Sequence, residues 1–271
     1  MTDIFGKSLE PIKEKKIFLL DMDGTIYIDE LVIDGTYDFL HKIKLANKKV
    51  IYITNNSSKS VKAYLNKLLS LGIVAGKDDF YTSSMAMATY INALYFNKKV
   101  YCMGTKSLIE EFLTYGINVT IEPSVDVEVV VLGYDTELTY QKLVDVSLLL
   151  KNEKVVYLAT NIDKTCPTDF GFVPDCGSMA KMLEYATGRI PKYIGKPDPM
   201  MIFESIKKSG FNKEDAVVVG DRLHTDILSG VNAGVDTICV LTGESTIEEV
   251  IASNIKPTFV TASIKDIAEI L

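Results

Sequence analysis

Two aspartates separated by one residue follow a short apolar run near the start of the chain. The run Ile17–Leu20 has the pattern of a buried parallel strand, and Asp21, Asp23 and Gly24 come directly after it. Open α/β sheets bind their ligands at the carboxyl ends of their strands. Neighbouring carboxylates repel each other unless a cation or two different protonation states relieve the repulsion. The pair therefore indicates chemistry in which one carboxylate attacks and the other transfers a proton, beside a hard metal ion.

Three more polar clusters occur at predicted strand ends or helix starts. They are Thr54-Asn55-Asn56 after the strand Val50–Ile53, Gly195-Lys196-Pro197, and Gly220-Asp221 with Asp226 after the strand Ala216–Val219. Taken alone, each has an ordinary explanation as a turn, a helix start or a surface lysine. Because parallel strands end at one edge of a sheet, clusters that are far apart in the chain can converge there. Their joint occurrence in this order favours a shared site.

The charges of these clusters match a phosphate ester. Asp21, Asp23 and Asp221 are negative, while Lys196 and a divalent cation would be positive. Such a nearly neutral site can accept a phosphoryl dianion and offset the charge on its oxygens during transfer. Oxygen ligands favour Mg²⁺. The Thr54 hydroxyl and the backbone N–H groups after it are predicted to open a helix, which is a natural anion site.

Strand-like and helix-like segments alternate along almost the whole chain, which is typical of an α/β fold with a mostly parallel sheet. The middle of the chain has an alternation of its own. Its predicted strands are 99–103, 128–132 and 155–159, and its predicted helices are 105–115 and 139–151. We therefore predict a Rossmann-like, doubly wound core formed by residues 1–79 and 189–271, with a smaller α/β domain, residues 80–188, inserted into it.

Composition indicates an ordinary globular protein and excludes some partners. Of the 271 residues, 47% are hydrophobic and 24% are charged, and the formal net charge is -7. An acidic chain is poorly suited to a nucleic-acid polymer or an anionic membrane surface. The four cysteines lack metal-site spacing, and neither a signal-peptide core nor a membrane-spanning apolar stretch is evident. We expect a cytoplasmic protein with reduced thiols that acts on a small phosphorylated metabolite. The sequence leaves open whether the protein forms a homodimer.

The four clusters resemble the four motifs of the haloacid dehalogenase-like hydrolases. Their spacing resembles the branch that carries a C2-type cap domain between the second and third motifs, which holds p-nitrophenyl, phosphoglycolate and sugar- or nucleotide-phosphate phosphatases. The resemblance implies a Mg²⁺-dependent phosphatase that acts on small phosphomonoesters through an aspartyl-phosphate. The dehalogenases of this superfamily lack the second aspartate of the first motif, so Asp23 indicates phosphate rather than carbon–halogen substrates.

The resemblance also implies a role for each core residue. Asp21 would be the nucleophile, and Asp23 would protonate the leaving alcohol and then deprotonate the hydrolytic water. Asp21, the backbone carbonyl of Asp23, and Asp221 would hold Mg²⁺, with Asp226 behind them fixing its neighbours. Lys196 would neutralise the aspartate–phosphate pair.

The second motif would then hold the substrate phosphate, with Thr54, Asn55 and Asn56 binding the phosphoryl oxygens. These core clusters can hold only the phosphoryl group, which every phosphomonoester shares, so selectivity must come from whatever covers the leaving group. We predict that the aperiodic stretch 161–175, with Asp163 and Cys166, supplies it as a long loop. The alternative location is around Tyr134-Asp135.

Two other functions stay open. One is a phosphotransferase or phosphomutase that uses the same intermediate, and the other is a signalling domain that is phosphorylated on aspartate without turnover. Asp23 and the large inserted domain favour turnover. A dinucleotide-binding oxidoreductase fits the fold class but not the residues, because no G-x-G-x-x-G motif follows the first strand.

Overall fold

The computed structural model describes residues 1–168 and 170–271. Its strands are β1 (Ile17–Leu20), β2 (Tyr27–Ile28), β3 (Leu31–Val32), β4 (Lys49–Thr54), β5 (Phe80–Thr82), β6 (Val100–Met103), β7 (Val119–Thr120), β8 (Val129–Leu132), β9 (Val156–Ala159), β10 (Thr165–Thr168), β11 (Gly171–Pro174), β12 (Lys192–Tyr193), β13 (Ala216–Gly220), β14 (Asp236–Val240) and β15 (Phe259–Thr261). Its α-helices are α1 (Thr36–Leu45), α2 (Val61–Ser70), α3 (Ser83–Leu94), α4 (Lys106–Thr114), α5 (Tyr140–Leu150), α6 (Cys176–Thr187), α7 (Met200–Ser209), α8 (Leu228–Ala233), α9 (Ile247–Ala252) and α10 (Ile264–Ile270). Short 3₁₀ turns lie at Glu10–Glu14, Lys77–Asp79 and Lys213–Asp215, and a π-helical turn lies at Leu223–Ile227.

The chain forms two compact units. The first contains Met1–Thr54, Leu65–Tyr81 and Lys196–Leu271, and the second contains Asn55–Tyr64 and Thr82–Gly195. This division differs from the predicted domain boundaries. The second unit extends past residue 188 because β12 pairs with β9, and it also includes a segment that lies before β5 in the chain.

The first unit is built on a six-stranded sheet in the order β15-β14-β13-β1-β4-β5. The pairs β1–β4, β1–β13, β13–β14 and β14–β15 are parallel. Successive strands run outward from β1 in one direction through β4 and in the other through β13, so the strand order reverses beside β1. The predicted doubly wound α/β fold is confirmed, and this reversal is where such sheets bind ligands.

The residues of the central strands explain their position. All residues of β1 and β13 are buried, and each strand is an apolar run without alternation, as expected for strands covered on both faces. Helix α1 packs against β1 through an edge-to-face contact between Phe39 and Phe18, whose ring centroids are 5.4 Å apart. This burial holds the carboxyl end of β1, and with it Asp21, in a fixed place.

The second unit has a five-stranded sheet of its own, in the order β12-β9-β8-β6-β7, with parallel neighbours. Helices α5 and α6 pack together, and side chains such as Val146 and Leu183 join the buried core beneath the sheet. The predicted strands and helices of this region agree with the structure to within a residue at most ends.

The stretch 161–175 is not the structureless loop that we predicted. It contains an antiparallel hairpin of β10 and β11, in which Cys166 lies opposite Val173, and α6 begins at Cys176. Pro167 and Pro174 made these strands difficult to predict, because proline cannot donate to a β-ladder and is mostly confined to edge strands. Both strands of a two-stranded sheet are edge strands. Asp169, in the middle of the predicted loop, lies outside the described residues.

Within the described ranges, no helix is both long enough and apolar enough to span a membrane. The four cysteines are free.

Candidate active site

Three carboxylates meet at the carboxyl edge of the first unit's sheet. Asp21 follows β1, Asp221 follows β13, and Asp226 lies in the π-helical turn after β13. Because β1 and β13 are paired neighbours, residues from opposite ends of the chain come together. One oxygen from each carboxylate lies within 4.8 Å of the others.

Lys196 is the cation of this cluster. Its Nζ donates hydrogen bonds to Asp21 Oδ1 at 2.6 Å, to Asp226 Oδ1 at 2.5 Å and to the carbonyl of Ile53 at 3.3 Å. Only 1% of the residue is exposed. Burial alone would lower the pKa of this lysine, but the two carboxylates raise it above its ordinary value. The ammonium is therefore charged, and its interactions link the nucleophile candidate to Asp226.

The remaining negative charge is poorly compensated. Burial raises the pKa of Asp21 well above its ordinary value, and repulsion from Asp226 adds to this despite the opposing effect of Lys196. Burial and Asp226 likewise raise the pKa of Asp221 to about 7. Three carboxylates around one lysine form a site that would be stabilised by a further cation.

The carboxylate of Asp221 fits the coordination of a hard cation. Its Oδ2 accepts the backbone N–H of Glu244 at 2.7 Å, whereas its Oδ1 is buried without a hydrogen-bond partner among the described residues. A Cβ at Gly24 or Gly243 would lie 2.6 or 2.0 Å from Oδ2, so the two glycines let the backbone enclose this carboxylate. An unpaired buried oxygen is unfavourable unless it has a ligand, and carboxylate oxygens suit Mg²⁺ or a similar divalent ion.

Asp226 is committed to other contacts. Its Oδ1 binds Lys196 and its Oδ2 accepts the backbone N–H of Arg222 at 3.1 Å. Gly220 gives it room, because a Cβ there would lie 2.3 Å from the Cβ of Asp226. These contacts support the expectation that Asp226 fixes its neighbours.

Asp23 has a different environment from Asp21. Asp23 is exposed, while the Asp21 side chain is only 14% exposed. The turn after Asp23 depends on Gly24, which has a φ of 83° and donates its N–H to the Tyr27 carbonyl at 2.8 Å. A buried carboxylate beside an exposed one is an arrangement that can separate nucleophilic from proton-transfer roles.

The predicted phosphoryl-binding segment spans the boundary between the two units in the chain. Thr54 ends β4, next to β1, and Asn55 and Asn56 belong to the second unit. The predicted helix start after Thr54 is wrong, because α2 begins at Val61. Asn56 Oδ1 accepts the N–H and the hydroxyl of Ser58, at 3.0 and 2.7 Å, and this side-chain turn holds the backbone out of a helix.

Comparisons with known proteins give the family. A haloacid dehalogenase-like hydrolase model matches residues 18–118, and a HAD-hydrolase-like model matches residues 193–267. The acid sugar phosphatase of Staphylococcus aureus (strain MRSA252) is 35% identical over 258 residues, which cover 95% of this chain and 97% of that protein. This chain belongs to the haloacid dehalogenase-like hydrolases.

Solved structures agree with this assignment. This hydrolase resembles the 4-nitrophenylphosphatase of Thermotoga maritima with a TM-score of 0.90 and 37% identity, over 96% of this chain and 98% of that one. It also resembles the glycerol phosphate phosphatase of Mycobacterium tuberculosis, solved in complex with magnesium, with a TM-score of 0.89 and 27% identity, over 99% of this chain and 79% of that one. Its similarity to these relatives identifies the hydrolase as a phosphatase.

The structure gives two of the proposed selectivity residues other partners. Asp163 binds the side chain of Asn55, and Asp135 is buried in an ion pair with Lys142 at 2.7 Å. Cys166 lies half-buried on β10. A role in substrate choice stays a prediction for Cys166.

Sequence reasoning missed the segment that follows β14 in this hydrolase. Thr242 Oγ1 donates to the Gly24 carbonyl at 2.6 Å, and Ser245 N–H donates to the Asp221 carbonyl at 3.1 Å. With Gly243 and Glu244, this segment fixes the Asp221 loop. A polar cluster containing glycine directly after a predicted strand was the available signal, as it was for the other clusters.

Proposed function

We propose that this protein is a Mg²⁺-dependent phosphatase that hydrolyses small phosphomonoesters through an aspartyl-phosphate on Asp21. The observation that carries the proposal is the buried Lys196, which binds Asp21 and Asp226 next to Asp221, whose Oδ1 has no hydrogen-bond partner among the described residues. A nucleophilic carboxylate can approach a phosphate dianion only where cations offset the repulsion between them. This site contains both the carboxylate of Asp21 and, in Lys196, a cation that can offset the repulsion.

The chemistry takes two steps. In the first, an Asp21 oxygen forms a bond to phosphorus, the ester P–O bond breaks, and Asp23 gives its proton to the leaving alcohol. In the second, Asp23 takes a proton from a water molecule that attacks the same phosphorus. The Asp21–phosphorus bond breaks, and inorganic phosphate and the original carboxylate are released. The exposure of Asp23 supports its exchange of protons with substrate and water.

Different residues of the site would bind the metal ion and the phosphoryl group. Asp21, Asp221 and the backbone carbonyl of Asp23 would hold Mg²⁺, which supplies positive charge to the phosphoryl oxygens when bound. Lys196 neutralises Asp21, and Asp226 holds Lys196 in place. Thr54 contributes its hydroxyl, and Asn55 and Asn56 bind the remaining phosphoryl oxygens through their backbone N–H groups. The magnesium complex of the glycerol phosphate phosphatase supports the choice of metal.

We infer small hydroxyl compounds as leaving groups, with sugar phosphates first. The relatives are named for acid sugar phosphatase, 4-nitrophenylphosphatase and glycerol phosphate phosphatase activities, and these substrates share a phosphoryl group on a small leaving group. The acidic composition supports a small metabolite rather than a nucleic-acid polymer. We also propose the cytoplasm as its location, which the free cysteines support.

A phosphate-release screen tests the proposal. The purified chain is incubated with Mg²⁺ and hexose phosphates, glycerol phosphate, phosphoglycolate, nucleotides, pyridoxal phosphate or p-nitrophenyl phosphate. We expect steady phosphate release from several small esters and least from nucleotides. A single stoichiometric burst would instead indicate a signalling domain, and transfer to an added alcohol in preference to water would indicate a phosphotransferase.

A further inference from the structure

Asn55 is held from several directions by residues of the second unit. Its side-chain Nδ2 donates to both oxygens of Asp163, at 3.1 and 3.3 Å. Its backbone carbonyl accepts the Ser83 hydroxyl at 2.6 Å and Asn161 Nδ2 at 2.9 Å. Asn55 is 5% exposed and Asp163 is 7% exposed. Both the side chain and the carbonyl of Asn55 are therefore bound inside the protein.

Asp163 is itself fixed on a rigid frame. Its N–H donates to Asn161 Oδ1 at 2.9 Å, and its carbonyl accepts the Gly177 N–H at 2.8 Å. A Cβ at Gly177 would lie 2.8 Å from the Asp163 carbonyl oxygen, and a Cβ at Gly195 would lie 2.6 Å from Asn55 Oδ1. Two further chain segments thus pack closely against this pair, and a side chain at either glycine would collide with it.

This frame determines which groups of the second motif can face a ligand. A carboxylate only accepts hydrogen bonds, so Asp163 selects Nδ2 rather than Oδ1 of Asn55 as its partner. The peptide between Asn55 and Asn56 is planar and trans, so binding its carbonyl to Ser83 and Asn161 turns the Asn56 N–H to the opposite side. The second motif is thereby oriented through its backbone.

We propose that Asp163 is a positioning residue, which holds Asn55 so that the backbone N–H of Asn56 is oriented for the phosphoryl group. This inference rests on the proposed phosphatase function and revises the predicted role of Asp163 in choosing the leaving group. The carboxylate of Asp163 is buried and binds Asn55. Its removal should therefore weaken binding of the phosphoryl group, which all substrates share.

Kinetics of Asp163→Ala test this role. We expect kcat/KM to fall about 10- to 100-fold, the range for a lost hydrogen bond to a charged group. The factor should be the same for p-nitrophenyl phosphate, glycerol phosphate and a hexose phosphate. Asp163→Asn should recover most of the loss, because its amide oxygen can still accept from Asn55. Losses that differ between substrates by more than threefold would overturn the proposal.

Asp145→Ala is the matched control for a general loss of packing. It also removes a buried carboxylate of the second unit, one that accepts hydrogen bonds from Tyr101 at 3.2 Å and from Gln141 at 2.8 Å. When all variants are assayed below their melting temperatures, Asp145→Ala should keep kcat/KM within twofold of the parent value. An equal loss in this control would mean that Asp163 only supports the fold.

A double-mutant cycle decides whether Asp163 acts through Asn55. In an Asn55→Ala background, Asp163→Ala should change kcat/KM by less than twofold, because the side chain through which Asp163 acts is already absent. An undiminished effect there would overturn the inference. If Asp163→Ala does not fold, Asp163→Asn must show a smaller, substrate-independent loss that vanishes in the same background.

The failure of this inference can be separated from failure of the proposed function. If the parent chain releases no phosphate from any ester, the phosphatase mechanism is wrong. The same cycle is then measured by the Kd of inorganic phosphate in the presence of Mg²⁺. If the parent turns over and the cycle is additive, only the positioning role is wrong.

Discussion

At the scale of single residues, the roles of the aspartates follow from what each oxygen already binds. Both oxygens of Asp226 have partners, in Lys196 and the Arg222 N–H. Asp221 keeps one buried oxygen without a partner in the described part of the chain. Asp21 shares Lys196 with Asp226. Chemically identical side chains therefore have different functions available to them because their surroundings differ.

The nucleophile gives the most direct prediction. Asp21→Asn should abolish turnover, because the amide is nearly isosteric with the carboxylate but hardly nucleophilic. Asp23→Asn should slow turnover roughly 10²- to 10⁴-fold through the loss of proton transfer. Phosphate release and acid-quenched phosphoprotein are measured for both variants. We expect phosphoprotein from Asp23→Asn and none from Asp21→Asn, and an Asp21 variant within tenfold of the parent would contradict the covalent mechanism.

At the scale of elements, α4 carries a buried carboxylate outside the proposed site. Glu111 is 8% exposed, and its Oε2 has no hydrogen-bond partner among the described residues. Burial raises the pKa of Glu111 from 4.5 to about 7. The folded protein therefore binds more protons than the unfolded chain between these values. The free energy of unfolding contributed by Glu111 should fall as pH rises from about 4.5 to about 7 and stay constant above that range.

Glu111→Gln tests this linkage because it replaces the carboxylate with a neutral group of similar shape. At pH 8 we expect the variant to be more stable than the parent by up to about 3 kcal/mol, with the difference shrinking as pH falls towards 4.5. Urea denaturation at pH 5 and pH 8 measures it. Glu110→Gln, an exposed neighbour on the same helix, should show no such pH dependence. Parallel stability profiles for the parent and Glu111→Gln would refute the prediction.

The elements also show how far the sequence determines the fold. The central strands were predictable because uninterrupted apolar runs such as Ile17–Leu20 have few alternatives to a buried parallel strand. The hairpin β10–β11 was not, because its prolines resemble loop residues and its ladder has only two strands. The start of α2 was missed because the Asn56 side chain competes with the helix for backbone hydrogen bonds.

The candidate site divides in the same way. Asp21, Asp221 and Asp226 were predictable because each lies in the turn after a strand, and the parallel pairing of β1 with β13 brings these turns together. Lys196 was predictable only as part of the joint pattern of clusters, because the strand before it, β12, pairs with β9 in the other sheet. The partnership of Asn55 with Asp163 was not predictable from spacing. It joins residues from distant segments of the second unit and depends on tertiary packing rather than on a local pattern.

At the scale of the whole molecule, the excess of negative charge around Lys196 predicts that a divalent cation stabilises the protein. Chelation with EDTA should stop phosphate release, and Mg²⁺ should restore it. Ca²⁺ should inhibit, because its longer bonds and higher coordination number suit the site less well. Mg²⁺ at 100 times its Kd should add about 2.7 kcal/mol to the free energy of unfolding.

Calorimetry with and without Mg²⁺ measures this stabilisation. Asp221→Asn should lose most of the Mg²⁺-dependent shift in melting temperature, whereas Asp38→Asn, which alters an exposed carboxylate of the same unit, should keep it. Full activity after exhaustive chelation would contradict the metal assignment. An undiminished thermal shift in Asp221→Asn would instead place the ion elsewhere.

The membership of Asn55–Tyr64 in the second unit has a consequence for protein engineering. Ser57 Oγ lies 2.8 Å from Thr160 Oγ1 and accepts the Tyr134 N–H at 2.9 Å, so this short segment lies at the carboxyl edge of the second sheet. The second unit is therefore not a single continuous cassette. A chimera that exchanges only Thr82–Gly195 with a relative would join a foreign sheet to the original segment. Transplanting the second unit as a whole requires both pieces to be exchanged together.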